Sequence, residues 1–405
     1  MNVLVFNSGS SSVKYTCFGA RDGRALAWGI VERIGQPGAV HRHQVEDRPP
    51  LERPVEAADA GRAVGVITPW LTHPDQGVFG SLSDVQAVGH RIVHGGEKMT
   101  RAVVVDEEVK AVIREYCDLA PLHNPPGLMT LQAAQAVFSC QPHVAVFDTA
   151  FHATIPEHAF LYGLPHEYYG RDKIRRYGFH GLSHGYVSRE AARFLGRPIE
   201  SLRMITCHLG NGCSVTAVDG GRSVDTSMGF TPLEGLIMGT RCGDIDPALV
   251  LYLMERKGLS VSEVNDLLNK QSGLKGLSGI GSGDLRDVES AGRAGNRRAK
   301  TALAAFCYRI RKYVGAYMAV LGGAEAIVFT AGIGENAPTV RRAVCDGLPD
   351  LAGGRLALDP LKNEAPADGI REVQAGAGGI RVLVVPTDEE REIAGQTRRL
   401  LAERR

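Results

Sequence analysis

The sequence predicts an α/β protein made of two domains with similar architecture, and three observations support this prediction. The chain has 405 residues, 44% of them hydrophobic, so it can bury a large core and is longer than one ordinary domain. Two hairpins with turns rich in Asn, Gly and Ser are predicted, at residues 2–15 and 204–218. The β-prone run 326–330 leads through a glycine-rich turn into a helix. We therefore expect a duplicated architecture, although the sequence shows no repeat of fixed period.

Charge and cysteine usage narrow the class of partner. Lys and Arg number 46 and Asp and Glu number 45, so no net field attracts nucleic acid or an anionic membrane surface. The eight cysteines form no CxxC pair, and the N-terminus carries no signal-like segment. No apolar run approaches the ~20 residues that span a bilayer. We expect a cytoplasmic protein with reduced thiols and a small-molecule partner, without nucleic acid or a membrane.

The two predicted turns are of a kind that can bind phosphate. The segment Asn7–Ser12 forms the first turn and Gly210–Gly212 the second, where we expect positive φ angles. An ordinary hairpin is the alternative in both places, because short glycine motifs recur by accident. The segment after the second turn favours an anion and a metal ion. Its hydroxyls, arginine and acids are Thr226, Ser227, Thr231, Thr240, Arg241, Asp244 and Asp246.

Charged side chains are predicted at the ends of two strands. Arg91 lies in the predicted strand 85–96, which ends in two glycines, and Asp148 follows the strand 144–147. Ligands of open α/β sheets gather at the carboxyl ends of strands. His180, flanked by glycines and cations, is placed to lie beside an anion. Zinc binding by histidines four residues apart is an alternative that a strand-like setting and the lack of an HExxH motif disfavour.

Helices are predicted at 57–71, 106–119, 260–268 and 297–321. The glycine- and serine-rich segment 276–286 fits either a linker or a functional loop. The junction 331–336 offers backbone N–H groups to a nucleotide. Thr387–Glu390 has the pattern of a capping box at the start of a terminal helix.

Together these segments resemble the acetate kinase family, within the actin, hexokinase and Hsp70-like ATPase superfamily, over nearly the whole chain. The motifs that carry the resemblance are VLVFNSGSSSVKY, GHRIVHGGE, APLHNPPG, VFDTAFHATIP, RRYGFHGLSH, HLGNGCSV, VDTSMGFTPLEGLIMGTRCGDIDP, FTAGIGEN and PTDEE. The resemblance implies two duplicated actin-like (ribonuclease H-like) domains with an active site in the cleft between them. The first domain would comprise residues 1–150 and 386–405, and the second 151–385.

The resemblance also implies an activity. It is the reversible, Mg²⁺-dependent transfer of the γ-phosphoryl group of ATP to acetate, in line and direct, giving acetyl phosphate and ADP. Mn²⁺ is expected to substitute for Mg²⁺, and the protein is expected to be a homodimer. The chemistry is consistent, since a carboxylate is already deprotonated at pH 7 and its phosphorylation needs positioning and charge neutralisation rather than a general base.

Roles for individual residues follow from the same resemblance. The expected catalytic residues are Asn7, Arg91, Asp148, His180 and Arg241. The expected substrate-binding residues are Arg91, Val93, Leu122, His123, Phe179 and Pro232. The expected nucleotide- and phosphate-binding residues are Ser10, Ser12, Lys14, His208, Leu209, Gly210, Asn211, Gly212, Asp284, Leu285, Arg286, Gly332, Ile333, Gly334, Glu335 and Asn336. The expected metal-binding residues are Asn7, Asp148 and Glu389.

This chain departs from the family pattern in two places, and three rival functions stay open. Leu182 and Gly185 replace a usual hydroxyl and arginine, and a glycine is inserted before Asp284, where it affects the adenosine contacts. The nearest rival is a propionate or butyrate kinase. A sugar or alcohol kinase would use Asp148 as a general base. An actin- or chaperone-like nucleotide switch would have no need of two arginines and a histidine around an acceptor.

Overall fold

The chain folds into two compact units in a computed structural model that describes residues 1–121, 123–348, 356–366, 369–376 and 379–404. The first unit comprises Met1–Ala153 and Asp388–Arg405, and the second comprises Thr154–Thr387. The sequence analysis placed these boundaries at 150 and 385. The C-terminal helix therefore returns to the unit in which the chain begins.

The first unit is built on an eight-stranded sheet with the strand order β5-β4-β3-β2-β1-β6-β8-β7. Strands β1 to β5 form an antiparallel meander, whereas β6 runs parallel to both β1 and β8. The strands are β1 (Val3–Ser8), β2 (Ser12–Phe18), β3 (Ala25–Glu32), β4 (Val40–Val45), β5 (Leu51–Pro54), β6 (Ala87–Ile92), β7 (Val103–Val104) and β8 (His143–Phe147).

The second unit contains a six-stranded sheet with the order β11-β10-β9-β12-β14-β13. Its strands are β9 (Arg203–Leu209), β10 (Cys213–Asp219), β11 (Arg222–Thr226), β12 (Ala326–Thr330), β13 (Arg371–Glu372) and β14 (Arg381–Val384). Three antiparallel strands are followed by two parallel ones, as in the order β3-β2-β1-β6-β8 of the first unit. The same five-strand arrangement thus occurs in both units, as the paired hairpins predicted.

Helices cover the strands of each sheet. Those of the first unit are α1 (Ala60–Leu71), α2 (Glu107–Glu115), α3 (Asn124–Val137) and α15 (Glu389–Ala402). Those of the second unit are α4 (Glu157–Phe160), α5 (His166–Asp172), α6 (Gly181–Phe194), α7 (Ala248–Lys257), α8 (Val261–Asp266), α9 (Gly273–Ser278), α10 (Leu285–Arg293), α11 (Arg297–Leu321), α12 (Ala331–Asn336), α13 (Pro338–Cys345) and α14 (Pro360–Glu364). None of the helices in the described ranges is long and apolar enough to cross a membrane.

Several predicted elements match the structure and others differ for local reasons. The bounds of α11 and β12 are those predicted. Helix α2 ends at Glu115, four residues early, because the side-chain amide of Asn124 donates to the carbonyls of Ile113 (3.3 Å) and Tyr116 (3.4 Å). The predicted helix 260–268 ends at Asp266, where a wider π-helical turn, Leu267–Gln271, begins. The segment 276–286 is no plain linker, since it contains the end of α9 and the start of α10.

The predicted hairpin β9–β10 is present, but the backbone of its turn differs from the prediction. Gly210 and Gly212 do not adopt the positive φ angles that we expected. A Cβ atom at position 212 would instead lie 3.4 Å from Nε2 of His180 and 3.6 Å from Nη1 of Arg241. These are ordinary contact distances, so they place the side chains of His180 and Arg241 beside the turn without making glycine necessary there.

Candidate active site

Arg91 and Asp148 form an ion pair at the carboxyl ends of two parallel strands in the first unit. Arg91 is the fifth residue of β6, and Asp148 directly follows β8, the neighbouring strand. The backbone N–H of Asp148 donates to the carbonyl of Ile92 at 2.9 Å, which fixes the end of β8 against β6. Nη2 of Arg91 donates to Oδ2 of Asp148 at 3.0 Å, and the Asp148 side chain is only 1% exposed.

Three further residues surround this guanidinium and, with Arg91 and Asp148, form what we call the Arg91 cluster. Nη1 of Arg91 donates to Oδ1 of Asn7 at 3.2 Å, and Nδ2 of Asn7 donates to Oε1 of Glu390 at 2.9 Å. Oε2 of Glu389 lies 3.9 Å from Nε of Arg91. Both glutamates belong to the first turn of α15, and Asn7 lies near the end of β1.

Carboxylates outnumber the cation in the Arg91 cluster. Burial opposes the charge of Arg91, but Asp148 and Glu389 outweigh it and raise the pKa of the guanidinium above its usual value. Burial raises the pKa of the Glu389 carboxyl to about 7; Arg91 opposes this rise, whereas Asp148 and Glu390 add to it. The excess of negative charge makes the cluster suited to a further cation.

The donor set of the cluster is compatible with Mg²⁺. Across the described ranges, no three or more His, Cys, Asp or Glu side chains are arranged as a complete metal site. Mg²⁺ in proteins usually takes one or two carboxylates and completes its shell with water and substrate phosphate oxygens. The adjacent carboxylates of Asp148 and Glu389, with the amide oxygen of Asn7, fit that requirement.

In the second unit, His180 and Arg241 meet at the backbone of Gly212. His180 precedes α6 in the left-handed region (φ 59°), and its ring stacks on that of His208 with centroids 4.1 Å apart. The two histidines and Arg241 thus lie around the β9–β10 turn. The left-handed backbone and the stacking fix the orientation of the His180 ring.

Arg241 is a partly buried cation without a carboxylate partner among the described residues. Its Nη1 donates to the carbonyl of Pro232 at 3.2 Å and lies 3.9 Å from the sulfur of Met238. Burial lowers the pKa of the Arg241 guanidinium. A cation that is buried without a counterion is costly, so this side chain is suited to bind an anion.

An ion pair holds the irregular segment that carries Pro232. Nη2 of Arg176 donates to Oε1 of Glu234 at 2.7 Å, and Nη1 donates to the carbonyl of Thr226 at 2.9 Å. The hydroxyl of Tyr162 donates to Oε2 of Glu234 at 2.5 Å. The segment therefore has fixed anchors although it contains no regular secondary structure.

Eight of the sixteen residues expected to bind the nucleotide or its phosphates line one cavity of about 550 Å³ in the second unit. It is lined by Gly210, Asn211, Thr240, Gly283, Asp284, Leu285, Arg286, Glu289, Gly332, Ile333, Asn336 and Ala337. The inserted glycine is accommodated here, because a Cβ at Gly283 would lie 2.4 Å from the carbonyl oxygen of Gly239. Arg286 and Asp284 form an ion pair at the cavity wall (2.6 Å).

Of the other eight, five belong to the second unit and do not line this cavity. They are His208, Leu209, Gly212, Gly334 and Glu335. Leu209 is fully buried, and a carboxylate oxygen of Glu335 accepts a hydrogen bond from the backbone N–H of Thr387 at 3.1 Å. His208 donates to or accepts from the hydroxyl of Ser183 at 2.8 Å. These residues support the walls of the cavity, except for Gly212 and His208, which belong to the group around His180.

The first predicted phosphate turn is divided between two cavities of the first unit. The backbone N–H of Gly9 donates to the carbonyl of Ser12 at 2.8 Å and closes the turn. Ser10 lines a cavity of about 340 Å³, whereas Lys14 lines a different one of about 530 Å³ together with Glu390. The structure therefore does not place Lys14 and Ser10 in one cavity.

The four apolar residues expected around the acetate methyl group have different surroundings. Val93 is buried in the first unit, and Phe179 is buried in the second. Pro232 supplies the carbonyl that holds Arg241. Leu122 lies outside the described residues, and the neighbouring His123 precedes the first turn of α3. A methyl pocket formed by this set stays a prediction.

Sequence reasoning missed several residues of the site. Glu390 is adjacent to the assigned Glu389, and the PTDEE motif contains both acids, so its involvement could have been proposed. The predicted capping box is wrong, because Asp388 caps α15 by accepting from the backbone N–H of Arg391 at 2.8 Å. Thr387 thus lies outside the cap, and both glutamates are available to the cluster. Thr240 and Glu289 of the nucleotide cavity were not assigned either.

Comparisons with known proteins give one consistent result. A profile described as the acetokinase family matches residues 2–395. A protein named acetate kinase from Caldicellulosiruptor saccharolyticus is 51% identical over 402 residues, which are 99% of this chain and 100% of that protein. The crystal structure of Porphyromonas gingivalis acetate kinase matches with a TM-score of 0.93 at 42% identity, covering 99% of each chain. A propionate kinase structure from Francisella tularensis subsp. tularensis SCHU S4 matches with a TM-score of 0.90 at 37% identity, covering 98% of this chain and 99% of that one.

Proposed function

The chain belongs to the acetokinase family of kinases, with its duplicated actin-like fold, and we propose that it transfers the γ-phosphoryl group of ATP to acetate, reversibly and in line. The observation that carries the proposal is Arg241, a partly buried cation without a carboxylate partner among the described residues, beside His180 at the backbone of Gly212. Cationic and N–H donors in this arrangement suit a transferring phosphoryl group, whose three equatorial oxygens share negative charge.

We propose that Arg91 binds the acetate carboxylate. Its Nε lies 3.9 Å from Oε2 of Glu389 and makes no hydrogen bond within the described part of the chain, while each Nη carries a second N–H that can face a carboxylate. Asp148 and Asn7 hold the other two nitrogens and so fix the plane of the guanidinium. A fixed guanidinium can present its N–H groups to a carboxylate without losing further side-chain entropy.

The second unit would bind the nucleotide. The cavity lined by Asn211, Leu285, Ile333 and Asn336 has a volume of about 550 Å³, which lies within the range of small-molecule sites. The backbone groups of Gly210 and Gly332 lie in its wall and allow a ligand to approach closely. The glycine inserted before Asp284 lies in the same wall, so base selectivity depends on this part of the chain.

A Mg²⁺ ion would be held by Asp148 and Glu389, with Asn7 beside them. When bound, the ion neutralises phosphate charge and helps to orient the transferring group. Asp148 then acts as a positioning and metal-binding carboxylate, because acetate has no proton to remove at neutral pH. The surplus of carboxylates around Arg91 supports this assignment.

The apolar face of α7 supports the expected homodimer. None of its residues is buried, and Leu249, Leu251 and Tyr252 are about half exposed or more. A helix that is apolar and uncovered on this scale usually marks a contact with another protein. We propose that a second copy of the chain covers it, and that Leu251→Arg yields a monomer in light scattering.

An acceptor panel tests the proposed function. The full chain is incubated with ATP, Mg²⁺ and, separately, acetate, propionate, butyrate, glycerol and glucose. Acyl phosphate is trapped as the hydroxamate, and ADP is measured in parallel. We expect hydroxamate with acetate, less with propionate and little with butyrate. ADP formation that depends on glycerol or glucose, without hydroxamate, would favour the sugar-kinase alternative.

Propionate is the second candidate substrate. The structural likeness to a propionate kinase at 37% identity supports testing it beside acetate. A single methylene in an apolar pocket changes binding by only ~1–3 kcal/mol, so the two acids should differ by a moderate factor in kcat/KM. A higher kcat/KM for propionate than for acetate would reverse the assignment of the preferred acid.

A further inference from the structure

Two histidines of the second unit share a single serine hydroxyl. Oγ of Ser214 lies 2.8 Å from Nδ1 of His180 and 2.7 Å from Nε2 of His184. Nδ1 of His184 lies in turn 2.7 Å from Oγ1 of Thr206. The side chains of Ser214, His184 and Thr206 are fully buried. The four residues thus form one hydrogen-bonded chain that begins at Thr206 and ends at the ring of His180.

We propose that Thr206, His184 and Ser214 are positioning residues that hold His180 in the tautomer with its proton on Nε2. The inference rests on the proposed function, in which His180 contacts the transferring phosphoryl group. It also assigns a donor and an acceptor to each hydrogen bond between Thr206 and His180.

The shared hydroxyl links the tautomers of the two histidines. A serine hydroxyl has one proton, so Ser214 can donate to only one of the two imidazoles and must accept from the other. If it donates to Nδ1 of His180, then His184 must carry its proton on Nε2. If it donates to Nε2 of His184, then His180 must carry a proton on Nδ1. Two directions of the chain are therefore possible for neutral rings.

Thr206 selects one of these directions. Within the described part of the chain, the only hydrogen-bond partner of its hydroxyl is Nδ1 of His184. A buried donor left without an acceptor costs about 1–3 kcal/mol, so the Thr206 hydroxyl donates its proton to this nitrogen. Nδ1 of His184 then accepts, and its Nε2–H donates to Ser214. The Ser214 hydroxyl accordingly donates to Nδ1 of His180.

The resulting tautomer gives His180 a donor where the proposed chemistry needs one. Nε2 of His180 lies on the side of Gly212 and Arg241, since a Cβ at position 212 would be 3.4 Å from Nε2 and 3.6 Å from Nη1 of Arg241. A neutral His180 with a proton on Nε2 can therefore donate to a phosphoryl oxygen beside Arg241. Stacking on His208 at 4.1 Å opposes the ring rotation that would exchange the two nitrogens.

The test reads the protons of His180 directly. The full-length protein is labelled with ¹⁵N-histidine. The ¹⁵N chemical shifts of the ring nitrogens, measured by NMR at pH 7.5, show which nitrogen of each histidine carries a proton. The signals of His180 are identified by their loss in His180→Asn. We expect a protonated Nε2 and an unprotonated Nδ1 for His180. A proton on Nδ1 of neutral His180 would overturn the proposal without any variant being needed.

A matched pair of variants tests the role of Thr206. Thr206→Val removes the hydroxyl at nearly constant shape, whereas Thr206→Ser keeps it. In Thr206→Val we expect a mixture of His180 tautomers, each populated to about one half if their energies become equal, and at least a ~2-fold lower kcat. Thr206→Ser should retain the wild-type spectrum and kcat. An unmixed Nε2–H tautomer in folded Thr206→Val would contradict the selecting role of Thr206.

Removal of Ser214 should have a larger effect. Ser214→Ala leaves Nδ1 of His180 without its donor, and we expect kcat with acetate to fall about 10- to 100-fold, the usual consequence of losing an orienting hydrogen bond to a site residue. The KM for ATP should change little. The NMR spectrum and the activity test different proposals. If the wild-type protein shows the expected His180 tautomer but makes no acetyl phosphate, the proposed function is overturned and the hydrogen-bonded chain is supported.

Discussion

The guanidinium of Arg91 donates to the carboxylate of Asp148 at 3.0 Å, and each residue stands at the carboxyl end of its own strand in a parallel pair. Asp148 thereby orients Arg91 and also contributes the most deeply buried carboxylate of the cluster. One residue is thus placed to affect both the proposed acceptor site and the proposed metal site.

Replacement of Asp148 by Asn should weaken the binding of Mg²⁺. The amide keeps the shape and can still accept from Arg91, but it removes one charged metal ligand. We expect the Mg²⁺ concentration for half-maximal activity to rise about 10-fold or more, with lower activity at every pH. Titration of Mg²⁺ at saturating ATP measures this. An unchanged Mg²⁺ requirement in the folded variant would exclude Asp148 as a metal-binding residue.

Glu390 should act through Asn7. Its Oε1 accepts from Nδ2 of Asn7 at 2.9 Å, and this bond directs Oδ1 of Asn7 towards Arg91. We expect Glu390→Ala to lower kcat about 10-fold, and Glu390→Gln to lower it less because the amide oxygen can still accept. Glu403→Ala, an exposed position at the end of the same helix, is the control. Equal activities of Glu390→Ala and the control would show that Asn7 needs no such support.

Glu390 also illustrates why part of the site could not be predicted from the sequence. Arg91 and Asp148 were predicted because each ends a recognisable strand, and a strand end is a local feature. The bond from Asn7 to Glu390 joins residues 383 positions apart and depends on how α15 packs on the first sheet. No local pattern contains that information.

The same distinction applies to the fold. Local patterns were sufficient for the β9–β10 hairpin and for α11, whose C-terminal Gly322 is in the left-handed conformation. The positive φ expected at Gly212 is absent, and the proximity of His180 and Arg241 to this glycine could not be predicted because both are distant in sequence. Ser214 lies in an ordinary alternating strand, where nothing distinguishes it from a core position before the histidines are placed.

Val93 should control the size of the acid that is accepted. It is buried two residues after Arg91, and trimming it to Ala would create space without touching the charged groups. We expect Val93→Ala to raise the ratio of kcat/KM for propionate to that for acetate by a factor of a few, within the ~1–3 kcal/mol that one methylene contributes. Val88→Ala, a buried position on the same strand, should leave the ratio unchanged. A ratio unaltered in both variants would remove Val93 from the acid pocket.

A buried histidine in the first unit predicts a loss of stability in mild acid. Burial, with smaller contributions from His43 and Arg53, lowers the pKa of His41 to about 4. Its Nε2 is 3.0 Å from the hydroxyl of Tyr15. Because an unfolded histidine titrates near pH ~6.5, the unfolded chain binds a proton at His41 between about pH 6.5 and 4 that the folded chain does not. The contribution of neutral His41 to the free energy of unfolding is complete above pH ~6.5 and is lost as the pH falls towards 4.

Thermal unfolding between pH 7.5 and 4.5 measures this effect. The wild-type Tm should decrease steadily below about pH 6.5. His41→Gln cannot take up the proton, so its Tm should start lower but fall by less over the same range. His158→Gln, at an exposed position, should follow the wild-type curve. Parallel curves for His41→Gln and the wild type would contradict the assignment.

In the proposed mechanism, Arg241 is the cation that meets the transferring phosphoryl group. Arginines in this role contribute roughly 10³–10⁵ in rate, and a lysine cannot reproduce their planar array of donors. Arg203 provides a matched control in the same unit, because it is paired with Glu325 and lies at the opposite end of β9 from the β9–β10 turn.

The decisive measurement is kcat for acetyl phosphate formation by Arg241→Ala, Arg241→Lys and Arg203→Ala, each shown to be folded by circular dichroism. We predict a loss of at least about 10³-fold for Arg241→Ala, a smaller but large loss for Arg241→Lys, and near wild-type turnover for Arg203→Ala. Turnover of folded Arg241→Ala within a few-fold of the wild type would contradict the proposed mechanism.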